Sequence, residues 1–255
     1  MTALEEIVAF LDEELRTGEI PDYPNALNGL QLENRSGTVG RVVAAVDASL
    51  PVLREALAHD TAKGTLLLVH HGLFWQGLQA HTGAGFKKLS CAHDADLAIY
   101  SSHIPLDIHP GFGNNALLAR AIGLEHTAPF FPWKGIELGL TAAFPGDRNE
   151  LRQRLSSAVG APVHLCPGGG EQAGRVGIIT GGAGSEVAAM AAAGIDTFIT
   201  GEGPHWSFPL AEELGINVLY AGHYATETFG VRALAGELAR RFELEHDFID
   251  RPTGL

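Results

Sequence analysis

The segment that most constrains this chain is a short apolar run, Thr65 to Val69, that leads directly into His70, His71 and Gly72. A continuous run of this length and composition is typical of a strand buried on both faces of a parallel sheet. In open α/β sheets, ligands bind just beyond the carboxyl ends of such strands. The two imidazoles are therefore well placed for a metal ion, although a histidine pair in a surface loop is the simpler alternative.

The order of the two histidines bears on how many ions they would bind. Neighbouring side chains of a strand point to opposite faces, so His70 and His71 should diverge unless the chain bends after them. Gly72 permits such a bend. Diverging histidines favour two metal ions over chelation of one.

Length and charge limit the class of protein. The 255 residues are enough for one large domain or two small lobes, and 45% hydrophobic with 18% charged residues is ordinary for a globular protein. The net charge of -13 argues against nucleic acid or an anionic membrane as a partner. It does not exclude a small anionic substrate, because bound cations would dominate the local field.

The cysteines and the apolar runs bear on location. Cys91 and Cys166 are the two cysteines, which suits a reducing compartment and cannot supply a thiolate metal cluster. No apolar run approaches the ~20 residues of a membrane span, and the N-terminus lacks a basic-then-apolar signal. The sequence therefore predicts a cytoplasmic location and no membrane partner.

Strand and helix patterns alternate along the whole chain. Buried-strand patterns occupy 42–47, 65–69, 97–102, 136–144, 175–180, 196–200 and 217–220. Amphipathic helical patterns separate them, with cap signals at Ser49 and Asp147. This alternation predicts an α/β fold of two layered lobes with mostly parallel sheets. Lobe one is expected at about 1–126 plus 218–255, and lobe two at about 127–217.

Three predicted strand ends carry side chains that bind metals. In chain order these are His70 and His71, then His103, Asp107 and His109, then His223 and Glu227. Parallel strands deliver their carboxyl ends to one rim, so these residues are expected to meet. Imidazole and carboxylate without thiolate suit zinc, manganese, iron, cobalt or nickel. The four-residue spacing of His223 and Glu227 puts both on one helix face, from which a carboxylate can bridge two ions ~3.5–4 Å apart.

Each residue taken alone has a simpler interpretation. Asp107 could belong to a turn, Glu227 could favour a helix start, and His103 could be a buried histidine that supports a ligand. His81 and His109 are more typical of solvated loops than of ligands. The coincidence at three strand ends favours a metal site over these separate readings.

Three further features leave alternatives open. The segment Gly181 to Ser185 could cradle a phosphate or form only a tight strand-to-helix turn. Glu202 and His205 could supply acid–base chemistry or cap a helix. Phe74 and Trp75 could stack on a base or pack between lobes or subunits.

The motifs also carry a resemblance to a known family. They are Asn28-Gly29-Leu30-Gln31, His70-His71-Gly72 with Phe74-Trp75, His103-x-Pro105-Leu106-Asp107 with Asn114-Asn115, Thr200-Gly201-Glu202 and Gly222-His223-x-x-x-Glu227. In this order they resemble the Nif-three-like family, whose members are named GTP cyclohydrolase I type 2-like, dinuclear-metal-centre proteins. The match extends from Asn28 to Glu227, nearly the whole chain.

The resemblance implies two α/β lobes in the Nif-three-like fold, with a dinuclear site between them. It implies two divalent metal ions per chain and a toroidal homohexamer whose sites face an internal cavity. The ligands it implies are His70, His71, Asp107, His223 and Glu227, with Glu227 bridging. The chain length is similar to that of family members without an inserted middle domain.

Two functional hypotheses follow. The first is a metal-dependent hydrolase of a nucleotide-like or other small substrate, in which Glu227 bridges the ions and Glu202 or His103 relays protons. The nucleotide comes from the family name and not from these residues. The second is a metal-binding ring that stores or delivers metal, or acts as an interaction scaffold. The ligand types are compatible with several metals, so the sequence names neither the metal nor the substrate.

Overall fold

The computed structural model describes residues 1–58 and 64–255. The chain divides into two units, each with its own core. The first unit comprises Met1–Leu106 and Gly230–Arg251, and the second comprises Asp107–Phe229 and Pro252–Leu255.

The strands and helices alternate along the chain as predicted. The strands are β1 (Thr2–Ala3), β2 (Gly29–Leu32), β3 (Thr38–Val39), β4 (Arg41–Asp47), β5 (Thr65–His71), β6 (Ala98–Ser101), β7 (Ala128–Trp133), β8 (Ile136–Asp147), β9 (His164–Pro167), β10 (Gln172–Ile178), β11 (Thr197–Thr200), β12 (Asn217–Tyr220) and β13 (Glu245–Phe248). The helices are α1 (Leu4–Glu14), α2 (Leu50–Ala56), α3 (Gly83–Asp94), α4 (Ile104–Asp107), α5 (Asn114–Ala121), α6 (Arg148–Val159), α7 (Val187–Ala192), α8 (Ser207–Leu214), α9 (His223–Thr226) and α10 (Thr228–Phe242), with a 3₁₀ helix at Ala183–Glu186.

The larger sheet of the first unit is mostly parallel, in the order β13-β4-β5-β6-β2. β13, β4, β5 and β6 run parallel, and β2 closes the edge antiparallel to β6. The strand that ends in the histidine pair is therefore central, and its residues from Thr65 to His70 are buried. Its apolar side chains pack with those of β4, β6, α2 and α3 in one core.

The register at the carboxyl end of this sheet positions polar residues side by side. Asp47, the last residue of β4, is the partner of His71 on β5. On the other side, Val69 pairs with Ser101, so the chain leaves β6 beside the two histidines. The predicted meeting of strand ends is realised here by His70, His71 and the residues after β6.

The sheet of the second unit is mixed, in the order β7-β8-β10-β11-β12-β9. β10, β11 and β12 are parallel, whereas β7–β8, β8–β10 and β12–β9 are antiparallel. The α/β class is thus confirmed, but the description "mostly parallel" holds for the first unit and is wrong for the second. The reason is the long β7–β8 hairpin, which turns at Lys134 and Gly135, both of positive φ.

The units divide at residues other than the expected lobe boundaries near 126 and 217. Leu118, Ala119 and Ile122, from α5 and its end, pack in the core of the second unit. β12 pairs with β11, which ties residues 217–220 to the same unit. The chain therefore passes between units within α4 and near the start of α10.

The helix starts that the sequence predicts are correct in detail. The Ser49 side chain accepts a hydrogen bond from the backbone N–H of Val52, and Asp147 accepts from Asn149 and Glu150. Among the helices of the described residues, none combines the length and the apolar character that crossing a bilayer requires.

Candidate metal centre

Three histidines of the first unit converge at the carboxyl end of its sheet. His70 and His71 end β5, and His103 follows β6. One ring nitrogen from each lies within 4.8 Å of the others. The ring centroids of His70 and His71 are 4.8 Å apart, so the two rings converge instead of pointing to opposite faces of the strand.

The Nδ1 atoms of the histidine pair are held by oxygen atoms. His70 Nδ1 lies 2.8 Å from the carbonyl oxygen of Ser102, and His71 Nδ1 lies 2.9 Å from Oδ1 of Asp47. A carbonyl oxygen only accepts, so His70 must carry its proton on Nδ1, which puts the lone pair of a neutral ring on Nε2. A histidine whose second nitrogen donates to a carbonyl or a carboxylate is the usual arrangement of a metal ligand.

His103 is held in the same way by a more buried carboxylate. Its Nδ1 atom lies 2.8 Å from Oδ1 of Asp22, and its backbone N–H donates to Asn28. The other oxygen of Asp22 accepts from Asn28 and from the backbone of Ile104. Burial alone would raise the pKa of Asp22, but the hydrogen bonds and charge of His103, together with the other donors, hold it below its usual value. Asp22 therefore stays ionised and fixes the orientation of His103.

Gln31 holds the segment after the histidine pair. Its Oε1 atom accepts from the backbone N–H of Leu73 at 2.6 Å, and its Nε2 atom donates to the carbonyl of Leu27 at 2.8 Å. A Cβ atom on Gly72 would lie 2.2 Å from Nε2 of Gln31. The Gln31 amide therefore occupies the space beside Gly72, and a side chain at position 72 would displace it.

In the second unit, one histidine lies between two carboxylates. His223 Nδ1 is 2.7 Å from Oε1 of Glu202, and His223 Nε2 is 3.1 Å from Oε1 of Glu227. His223 begins the single turn α9 and Glu227 follows it, which realises the predicted shared helix face. Glu227 is 2% exposed, whereas Glu202, just after β11, is partly open to solvent.

The charges around His223 favour its protonated form. Burial by itself lowers the pKa of His223, but the hydrogen bonds and charges of Glu227 and Glu202 outweigh it and raise the pKa to about 9. In the metal-free chain a proton on His223 therefore offsets one of the two carboxylate charges. A divalent cation at Nε2 can replace that proton, because a metal ligand must be deprotonated.

Asp107 is buried in the second unit and is oriented by two donors. Its Oδ1 atom accepts from Asn114 Nδ2 at 2.8 Å and from Thr180 Oγ1 at 3.3 Å. Asn115 Oδ1 accepts from the backbone N–H of Thr180 at 3.0 Å, which fixes the end of β10. Asn114 and Asn115, noted in the sequence beside Asp107, thus position the carboxylate and the turn that follows Thr180.

The glycine-rich turn after β10 packs directly on the ligand candidates. A Cβ atom on Gly181 would lie 2.2 Å from Oε1 of Glu227, and one on Gly182 would lie 3.4 Å from Cε1 of His223. Gly181 has a φ of 70°, and its backbone N–H donates to Thr226. The close approach and the positive φ both explain the glycine at 181, and they favour the tight turn over the phosphate cradle.

The residues of both clusters fit a metal ion. The imidazoles of His70, His71, His103 and His223 each have Nδ1 against an oxygen atom, and buried carboxylates complete the nitrogen and oxygen donor set. These buried His and Glu groups are therefore able to bind metal ions of the borderline class.

The remaining polar candidates lie elsewhere. His109 Nδ1 accepts the backbone N–H groups of Gly111 and Phe112, which makes it part of a turn. His81 is exposed. His205 lines a cavity of about 430 Å³ together with Glu202.

Sequence reasoning did not identify Asp22 and Asp47 as supports of the histidines. For Asp47 a signal exists, because it ends the strand next to β5 in register with His71. For Asp22 no signal exists, because it comes from an irregular segment far from His103 in the sequence. Glu202 was considered as an acid–base residue, and it contacts Nδ1 of His223.

The chain matches a family model over nearly its full length. The family is described as Duf34/NIF3 (NGG1p interacting factor 3), and the match spans residues 2–253. A curated relative from Deinococcus radiodurans, called GTP cyclohydrolase 1 type 2 homolog, is 42% identical over 253 residues, which covers 98% of this chain and 94% of the relative.

Solved structures agree with this match. The chain superposes with a TM-score of 0.90 on a structure titled protein ybgI, unknown function, with 33% identity and 100% of each chain covered. It superposes with a TM-score of 0.86 on reduced HcgD from Methanocaldococcus jannaschii, with 26% identity and 98% of each chain covered. The fold and the relatives thus point to the same family as the sequence motifs.

Proposed function

This chain belongs to the Duf34/NIF3 family, and on that premise we propose that it is a dinuclear metal protein. The proposed ligands of two divalent ions are His70, His71, Asp107, His223 and Glu227, with Glu227 as the bridge. The ions are drawn from zinc, manganese, iron, cobalt and nickel, which accept imidazole and carboxylate.

One observation carries the proposal more than any other. The rings of His70, His71 and His223 each have an oxygen atom on the Nδ1 side, and this oxygen atom orients the ring. Residues that only packed in a core would not need a carboxylate such as Asp47 or Glu202 behind them. This support is what fixes the tautomer and the orientation of metal-binding histidines.

We further propose that the chain is a metal-dependent hydrolase of a nucleotide-like or other small substrate. The name of the curated relatives, GTP cyclohydrolase 1 type 2 homolog, supports this class of reaction. When bound, the metal ions supply Lewis acidity that lowers the pKa of a coordinated water towards ~7.

The chain's own residues would handle the protons. His103, oriented by ionised Asp22, accepts a proton at Nε2 while its Nδ1–H stays on the carboxylate. Glu202 is partly open to solvent, so its second oxygen can pass a proton outward while Oε1 holds His223. His103 and Glu202 are therefore the proposed relay, and Glu227 acts through the bridge.

The proposed assembly and location rest on separate grounds. A toroidal homohexamer is proposed from the family resemblance, and light scattering should give the mass of six chains. A reducing, cytoplasmic location is supported by Cys91 and Cys166, which are both free thiols. A small molecule, not nucleic acid, is the proposed partner.

A metal analysis and a hydrolase screen test the function together. Protein purified without chelator at pH above ~7 should contain two ions per chain, because histidines must be deprotonated to bind metal. The metal-loaded protein should hydrolyse at least one phosphate, amide or purine substrate of a broad panel, and Glu227→Gln should abolish this turnover. Two ions without turnover would instead support the alternative, a metal-storing or metal-delivering ring or a scaffold.

A further inference from the structure

A cavity of about 600 Å³ in the first unit borders His71, the second residue of the histidine pair. Its walls come from the end of β4, from the segment after β5 and from the start of α3, and they include Asp47, His71, Trp75 and Lys88. Its volume lies within the ~300–1,000 Å³ range of small-molecule sites. The cavity therefore has the size and the position of a substrate site beside the proposed metal ligand His71.

The charges on the cavity wall favour an anionic ligand. Among its lining residues, all within the described ranges, the side chains with a formal charge at neutral pH are those of Asp47 and Lys88. Asp47 is engaged with His71 Nδ1 at 2.9 Å. Lys88 is thus the cation that faces a ligand, in a chain whose net charge is -13.

Lys88 is held in place and is partly desolvated. Its Nζ atom donates to the carbonyl oxygen of Ala48 at 3.0 Å, which ties α3 to the end of β4. An ammonium has three donors, so this bond leaves two for a ligand. Burial lowers the pKa of Lys88, and an oxyanion in the cavity would offset this cost of burying a charge.

The same cavity has an aromatic wall. The Trp75 ring packs edge-on against His103, with centroids 4.6 Å apart, and lies 5.1 Å from the centroid of His71. These contacts fix the indole, and its side chain is 37% exposed while lining the cavity. A fixed and partly exposed indole offers a surface on which a flat ring can pack.

We infer that this cavity is the substrate-binding subsite of the metal centre, and that Lys88 binds an oxyanionic group, phosphate or carboxylate, of a small molecule whose ring packs on Trp75. The inference rests on the proposed function for the role of the metal, but the binding itself is testable without turnover. An anion compensates the partly desolvated ammonium better than an uncharged ligand does, so the anion is the part that the site selects.

Binding measurements on matched variants test the subsite. The probes are guanosine monophosphate and guanosine, titrated by calorimetry into the metal-loaded protein. Lys88→Gln keeps a donor for Ala48 and removes the charge, and it should weaken binding of the monophosphate by about tenfold or more. Lys87→Gln makes the same charge change at an exposed neighbour outside the cavity and should bind like the unaltered chain. Binding of guanosine should be the same in all three proteins.

Competition and rescue complete the test. Lys88→Arg keeps the charge and should retain most of the affinity for the monophosphate. Inorganic phosphate and acetate at matched ionic strength should compete differently, and the stronger competitor identifies the oxyanion. Equal affinities of Lys88→Gln and Lys87→Gln for the monophosphate would overturn the subsite.

A labelling experiment avoids any change of sequence, in case Lys88→Gln does not fold. Limited acetylation with mass spectrometry should show that guanosine monophosphate protects Lys88 but not Lys87, and that guanosine protects neither. Equal protection of both lysines would count against the subsite. The failures are distinguishable, because Lys88-dependent binding without turnover removes only the hydrolase, and turnover without Lys88 dependence removes only the subsite.

Discussion

The two histidine clusters support their imidazole rings alike but differ in charge. In the first unit, Ser102, Asp47 and Asp22 each hold a ring from its Nδ1 side. In the second unit, Glu202 holds Nδ1 of His223 in the same manner, but Glu227 also faces Nε2. The second cluster thus concentrates two carboxylates around one imidazole.

This difference in charge indicates that the second cluster is more closely coupled to proton binding than the first. Glu227 is buried and Glu202 is partly exposed, and a cation between them, either protonated His223 or a metal ion, compensates their negative charge. The raised pKa of His223 shows the proton in that role. The first cluster offers aimed nitrogen atoms, whereas the second offers one aimed imidazole beside two carboxylates.

Removing the charge of Glu227 should have the largest effect. Glu227→Gln keeps the size and one carbonyl oxygen, but an amide is a poor bridge between two ions. We expect one ion to bind about 100-fold more weakly or worse, with the other partly retained, and any hydrolysis to fall further than the metal content. Calorimetric metal titration measures the loss.

Glu213→Gln, the same change on the exposed surface of α8, is the control. Two ions bound with unaltered affinity would make Glu227 a helix-start carboxylate and not a bridge.

The dependence on pH should be the next largest effect. The folded pKa of His223 is raised from 6.5 to about 9, so its contribution to stability is fully present below pH ~6.5 and is lost as the pH rises through about 9. In chelator, the free energy of unfolding should therefore fall over this interval, by at most ~3 kcal/mol.

Urea denaturation at several pH values measures this change, and His223→Gln should remove most of it. Binding of metal should release a proton at pH 7 to 8, which calorimetry detects as a dependence of the heat on the buffer. A metal-free stability that rises from pH 6.5 to 9 would show that the proton on His223 is not stabilising.

The sequence was most informative where a strand ends in the core. The apolar run of β5 and its two histidines are enough to predict a buried central strand with both histidines at its end, and the register with β4 and β6 then follows from packing. The same reasoning predicts His103 near them. These inferences succeed because burial on both faces leaves a strand few alternatives.

The edge strands and the supporting carboxylate Asp22 were not predictable in this way. β13, Glu245–Phe248, is largely polar, and β9, His164–Pro167, ends in a proline that only an edge tolerates, so neither shows a buried pattern. Asp22 depends on donors from His103 and Ile104, which tertiary structure brings to it from far along the sequence. Sequence periodicity carries no information on such contacts.

Asp22→Asn should have a moderate effect, and the effect should be confined to the first cluster. One carboxylate oxygen becomes an amide that cannot accept, although both oxygens of Asp22 accept hydrogen bonds. We expect a loss of about 2 kcal/mol in the free energy of unfolding, because a buried donor is left without its acceptor. The release of a proton on metal binding at His223 should be unchanged. Denaturation and calorimetry measure the two quantities, and a changed proton release would mean that the clusters are not electrostatically distinct.

Asp47→Asn should have the smallest effect, and it isolates the charge from the hydrogen bond. Asparagine at this position can keep an oxygen 2.9 Å from His71 Nδ1, so the ring remains aimed. The Asp47 side chain is 38% exposed, so water already screens its charge. We expect metal affinity to fall by about threefold and the free energy of unfolding to change by less than about 0.5 kcal/mol.

Asp47→Leu, which removes the acceptor as well, is the matched comparison and should cost about tenfold or more in affinity. If asparagine and leucine weaken metal binding equally, the charge of Asp47 and not its hydrogen bond supports His71. The first cluster would then depend on carboxylate charge, as the second cluster does.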